Sequence, residues 1–175
     1  MAEVEIHTGH GDSNDAFGQR VGIAVGIIGI LLSIVTILGH REHNAAVVRK
    51  TEANDQWAYY QAKKIREHNA QIGAVLLNAL AADPARVAGV SAKLTEDSGR
   101  YATEAEDIRS TAQRLDEESK HSERRALRLD VGEGFLELGL VMSSLYFLSR
   151  RRFFVVLGGI GAAAGTLIGA LGWLS

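Results

Sequence analysis

Cysteine is absent from this chain, and proline occurs once, at position 84. The first absence rules out disulfides and thiolate metal sites. The second leaves long helices uninterrupted, because proline is the strongest breaker of a helical pattern. Aromatics are sparse at 6%, and the formal net charge is only −2. Basic and acidic residues are interleaved, so no basic face marks a nucleic-acid surface. Phosphate-binding glycine loops, nucleophile elbows and H-E-x-x-H helices are also missing. No stretch reads as a strand, and the chain is not expected to be an enzyme or to hold a cofactor or metal.

What is present is strongly segregated. Residues 21–39, 131–148 and 153–175 are almost free of charge, while 40–130 holds most of the Lys, Arg, Asp and Glu. A charge-poor helix of 18 residues or so crosses the ~30 Å hydrocarbon core. The expected fold is an all-α integral membrane protein with three transmembrane helices. A long antiparallel, coiled-coil-like helical hairpin joins the first two. Residues 1–20 form a polar tail with four acidic residues and one Arg, unlike the basic start of a secretory signal. The first apolar run is therefore read as a retained anchor.

The hairpin is expected to turn near 82–86, where Asp83 can cap a helix that Pro84 begins. In the second arm Leu94, Tyr101, Ile108, Leu115, Ser122 and Leu129 recur every seven residues. Four after each of the first five stand Ser98, Ala105, Ala112, Ser119 and Ala126. That is a heptad seam of alternating large and small residues. The first arm offers a looser stripe of Ala58, Ala62, Ile65, Asn69, Ile72, Leu76 and Ala79. A lone hairpin leaves apolar positions uncovered, so a homo-oligomer is expected. Gly39 and Gly132 are places where arm and membrane helix could bend.

Small residues repeat along the membrane helices. Gly22, Gly26 and Gly29 in the first, and Gly161, Gly165 and Gly169 in the third, fall on one helix face each. Such faces let backbones approach closely in lipid. The second helix should pack through Gly132, Leu136, Gly139 and Ser143. Beside that face stand the candidate intramembrane polar residues Glu133, Glu137 and Ser144. Carboxylates inside hydrocarbon need a partner or a function. His40 and Arg41, at the end of the first membrane helix, are the expected partners of Glu133. Glu137 is expected to make a contact inside the bundle. An alternative reading makes Glu133 and Glu137 a cation or proton ring in an oligomeric channel. His40 and His43 alone are too few for a zinc site.

The short loop 149–152 carries Arg150, Arg151 and Arg152, which by the positive-inside rule belongs in the cytoplasm. The N-terminus would then be inside and 40–130 outside. The run "KTEANDQWAYYQAKKIREH" (50–68) resembles the hallmark segment of a bacterial membrane-protein family, domain of unknown function 4337 (DUF4337). Asp55, Gln56, Trp57, Ala58, Tyr59, Tyr60, Gln61, Ala62, Lys63 and Ile65 carry the match. The resemblance implies a bacterial inner-membrane helical protein and assigns no catalytic residue. Trp57, Tyr59 and Tyr60 are candidate interface residues, since aromatics are enriched at interface cores. Expected partners are the lipid bilayer, further copies of the chain and another membrane or envelope protein, with no nucleic acid.

Overall fold

The computed structural model describes residues 16–174; the acidic tail with His7 and His10 lies outside them. Three helices account for nearly all of the described chain: α1 (Ala16–Leu80), α2 (Pro84–Ser149) and α3 (Arg152–Leu174). All three contain a stretch long and apolar enough to cross a membrane. Neither Gly39 nor Gly132 interrupts its helix. Both are buried at helix contacts: a Cβ on Gly39 would lie 3.4 Å from Asp130 Oδ1, and one on Gly132 would lie 2.8 Å from Gly169 N. What these glycines admit is a close neighbour.

The turns follow local chemistry. The Asp83 carboxylate accepts from Ala85 N at 3.1 Å, satisfying an otherwise orphaned amide at the start of α2. At the other end of α2, Arg150 takes a left-handed φ of 53° and its amide closes onto Tyr146 O at 2.8 Å. Only Arg150 and Arg151 separate α2 from α3.

The chain divides into two compact units, one of residues up to His40 together with Arg125 onward, the other Arg41–Arg124. In the first unit α1 and α2 run antiparallel. Gly22 lies near Phe147, Gly29 near Leu140 and Thr36 against Glu133, so register is kept along the pair. Val21, Ile28 and Val35 form the buried stripe of α1; Ile28 and Val35 cluster with Leu129 and Leu136, which are fully buried on α2. Outward stand Ile23, Ile27, Ile30, Ile34 and Ile37 on α1, with Val156, Ile160 and Leu167 on α3. Small residues inside and branched apolar ones outside are what a bundle in hydrocarbon requires, since lipid tails solvate the outer face.

α3 packs on α2 through glycine. Gly158, Ala162, Gly165, Gly169 and Gly172 are its buried residues. They face Gly132, Gly139 and Ser143 so closely that a Cβ on Gly165 would sit 2.6 Å from Gly132 O. At the end of α3, Arg125 reaches the carbonyls of Gly172 (3.5 Å) and Trp173 (2.5 Å). These are among the last acceptors that a helix leaves unpaired, and a cation suits that end of the dipole.

In the second unit the small heptad positions of α2 are the innermost. Ser98, Ala105, Ala112 and Ser119 are all buried, while Leu94, Tyr101, Ile108 and Leu115 are half-buried. Opposite them, the stripe expected on α1 is not the seam: Ala58, Ala62, Ile65, Asn69, Ile72, Leu76 and Ala79 are all exposed. The seam instead uses Ala46, Ala53, Ala70 and Ala74, interspersed with Arg49, Gln56, Tyr60, Lys63 and Glu67. Alanine and serine on α2 leave room for long polar side chains, whose stems cover the seam while their heads find partners.

Candidate functional site

The features with chemical character fall into two groups, one in each unit. In the first unit, Thr36 is half-buried on α1 and its hydroxyl lies 2.7 Å from Glu133 Oε1 and 2.9 Å from Leu32 O. A hydroxyl carries a single proton, so Thr36 shares it between a backbone carbonyl and the carboxyl. The partner of Glu133 is therefore a hydroxyl one turn before His40, in place of the expected His40 or Arg41. The reason is depth: one turn into the apolar run of α2, a side chain pointing at α1 meets the last apolar turn of that helix.

Thr36→Val keeps the shape and removes the donor. It should cost about 1–3 kcal/mol, the penalty for stranding a shielded polar group. Thr36→Val with Glu133→Leu should recover most of that loss. Thermal unfolding of the detergent-solubilised protein checks both, and a double variant as weak as the single would contradict the pairing.

Glu137 is exposed on α2, and among the described residues it makes no hydrogen bond or ion pair. The expected contact inside the bundle is not formed within one chain. Ser144 and Ser33 are exposed too, but each hydroxyl returns to its own helix, at Val141 O (2.8 Å) and Gly29 O (2.9 Å). A Cβ on Gly26 would meet nothing within 4 Å, and one on Gly22 or Gly29 would meet only the tip of Phe147 or Leu140. Gly161 stands at the edge of the α2 contact, where a Cβ would lie 3.3 Å from Phe135 O, while Gly165 and Gly169 are at its centre. The glycine face of α3 is thus occupied and that of α1 is open.

In the hairpin unit, Trp57 Nε1 donates to Asp116 Oδ2 at 2.9 Å, and Lys50 Nζ binds Asp116 Oδ1 at 2.7 Å. Trp57 stacks edge-on to Tyr60 with centroids 5.7 Å apart. Two of the three candidate interface aromatics therefore pack against each other, Trp57 bridging α1 to α2; Tyr59 stands outside, 63% exposed. Further along, Lys63 bonds Glu104 and lies 5.3 Å above the Tyr101 ring. Asn78 donates to Ser91 at 2.9 Å, Arg49 to Ser122, and the buried Ser119 hydroxyl to Ala46 O at 2.9 Å. A shallow cleft beside Ala46 includes Lys50 and Lys120, but both lysines are paired, with Asp116 and Glu117. Among the described residues no three His, Asp or Glu gather as a metal site would need.

The Lys50 ammonium and then the Trp57 indole hold the Asp116 carboxyl below the ordinary carboxylate range, and Lys63 does the same for Glu104. A carboxyl with a depressed folded pKa stabilises the fold above its unfolded value, roughly 4, and ceases to as pH falls through the folded value. Hairpin stability should accordingly be flat from neutrality to about pH 5 and decline below about 4. Asp116→Asn should make that decline shallower. Circular-dichroism melts at neutral and acid pH test this; an unchanged acid dependence would contradict it.

Sequence reasoning missed the polar seam of α1, because Arg49, Lys63 and Asn78 carry no apolar signal. The spacing of seven that runs through Arg49, Gln56, Lys63, Ala70 and Leu77 was the available clue. No curated protein and no solved structure matches the chain. A family model does match, over residues 17–175, which takes in all three helices and the Ala- and Ser-rich heptads. The chain belongs to the family described as domain of unknown function DUF4337.

Proposed function

We propose that this protein is an oligomeric, membrane-anchored helical scaffold of the bacterial inner membrane. Its hairpin is an interaction element and carries no catalytic role. The observation that supports the reading most is a contrast between the two arms. The outer face of α1 in the hairpin is apolar, with Ile65, Ile72, Val75 and Leu76 exposed. The outer face of α2 from Arg100 to Glu117 is polar, with Arg100, Thr103, Asp107, Ser110, Arg114 and Glu117 exposed. Solvated helices look like α2; a face like that of α1 belongs in an interface. The arginines of the α2–α3 turn favour placing that turn in the cytoplasm and the hairpin outside. Partners on this reading are the bilayer, further copies and another membrane or envelope protein.

The test is the mass of the purified protein, corrected for detergent, against the 18.9 kDa of one chain. An integral multiple that collapses to one copy in Ile65→Glu/Ile72→Glu is expected. A wild-type protein that is monomeric in its native membrane would overturn the reading.

The exposed carboxylate of Glu137 favours a second reading, a homo-oligomeric cation or proton channel using Glu133 and Glu137. Against it, Glu133 is engaged by Thr36, and Ser144 turns back to its own backbone. Cation flux in proteoliposomes that is lost in Glu137→Gln would favour the channel; no flux in the wild type would remove it.

A further inference from the structure

We propose that two copies pair through the outer face of the α1 arm, parallel and in register, with Asn69 of each meeting its counterpart on the two-fold axis. This rests on the oligomeric reading above and specifies which surface and which geometry. The exposed residues Ala58, Ala62, Ile65, Asn69, Ile72 and Leu76 are separated by alternating steps of four and three. That is the spacing of a coiled-coil seam: Ala58, Ala62, Ile65 and Ile72 lie on the side of α1 away from Ala46, Ala53 and Ala74, which face α2, while Asn69 and Leu76 stand at its edge, beside shallow clefts that α1 shares with Leu94, Tyr101 and Val87. One helix therefore carries two seams at one period, and only one of them is filled within the chain. The period identifies the missing occupant as another helix.

Three observations select a second α1. The outer face of α2 cannot fill the seam, because its Arg100, Asp107, Arg114 and Glu117 would be buried against isoleucine. Copies that share one orientation in a membrane pair about a two-fold axis along its normal, and that symmetry makes an α1–α1 pair parallel and in register. In that register residue 69 faces residue 69. Numbering the seam by heptads places Asn69 at an a position, where a lone asparagine pairs with its counterpart and fixes a parallel dimer at some cost in stability. An asparagine among isoleucines is otherwise a poor choice for an apolar face.

The natural absence of cysteine permits a direct test in native membranes with the full chain. Single cysteines at Ile65, Asn69 and Ile72 should give disulfide-linked dimers on mild oxidation, because pairing brings equivalent Cβ atoms near bonding range. Cysteines at Thr103 and Ser110, on the outer face of α2, should not. Asn69→Asp tests the axis without disturbing the hairpin, since the position is exposed in the single chain. It should weaken pairing at neutral pH at least about tenfold, by burying like charges side by side, and pairing should return once the carboxyl is protonated. Cross-links at 103 and 110 with none at 65, 69 and 72, in a protein that still sediments as an oligomer, would overturn this interface and leave the scaffold reading intact. Pairing that is unaffected by Asn69→Asp would overturn the dyad. A monomeric wild-type protein would overturn both readings.

Discussion

Gly139→Leu is expected to detach α3 from α2. A Cβ at that position would stand 2.8 Å from Ala162 N and 2.8 Å from Gly158 O, both backbone atoms of α3. Backbone cannot swing aside as a side-chain tip can, so the helices must separate. Separation undoes every other close approach along the face, from Gly132 against Gly169 to Gly158 against Ser143. In lipid there is no hydrophobic drive to hold the helices at a longer distance, because packing itself is the attraction. A loss on the order of 4 kcal/mol or more is expected, at the severe end for one substitution. Gly26→Leu is the control: nothing lies within 4 Å of its Cβ position, so the same change should fall within about 0.5 kcal/mol of wild type. Comparing thermal unfolding of the two variants in detergent reads the difference. Equal effects would mean that α3 does not pack as described.

Ala112→Leu should open the hairpin, with a loss of about 3 kcal/mol. Ala112 is fully buried, and Ala105 and Ser119 one heptad either side are buried too. Three added carbons at the centre of this seam must push α1 away, and the polar bonds across it go with the displacement. Trp57 to Asp116, Lys63 to Glu104 and Asn78 to Ser91 all need the helices close. The sign is diagnostic. In a leucine-type coiled coil an alanine at a seam position is a hole, and filling it stabilises. Here the alanine sets the interhelical distance, so filling it destabilises. Loss of cooperativity in the helical melt, with Ser110→Leu on the exposed face as control, checks this; a raised melting temperature for Ala112→Leu would contradict it.

How far these features were legible differs from residue to residue. Asp83 and Pro84 announce the turn by chemistry that is local in sequence, and the structure places the α2 cap there. The α2 seam is legible because its small residues recur without exception every seven positions. Its counterpart on α1 is not, because Arg49, Gln56, Lys63 and Glu67 take seam positions as solvated residues would. Only the alanine-narrow partner makes their stems the right filling. The glycines show the same dependence on a partner. Gly22 and Gly26 have the spacing of Gly165 and Gly169, yet only the latter face a glycine, Gly132, across a contact. Spacing along one helix says that close approach is possible; which neighbour accepts it is a property of the other helix. Glu133 and Glu137 were legible as anomalies, but the hydroxyl partner of the first and the outward aspect of the second depend on helix rotation, which periodicity alone leaves open by a fraction of a turn.

A scaffold assembled through its hairpins requires that the apolar outer face of α1 be covered in the membrane. The direct measurement is thiol labelling of single cysteines in intact membranes, at Ala58, Ile65 and Ile72 on α1 and at Arg100, Asp107 and Arg114 on α2. All six positions are exposed in the single chain. If copies cover that face, labelling at 58, 65 and 72 is slowed at least about tenfold relative to the α2 positions, and Ile65→Glu/Ile72→Glu restores it at 58. Uniform, rapid labelling at all six would show the face open to water and contradict the scaffold.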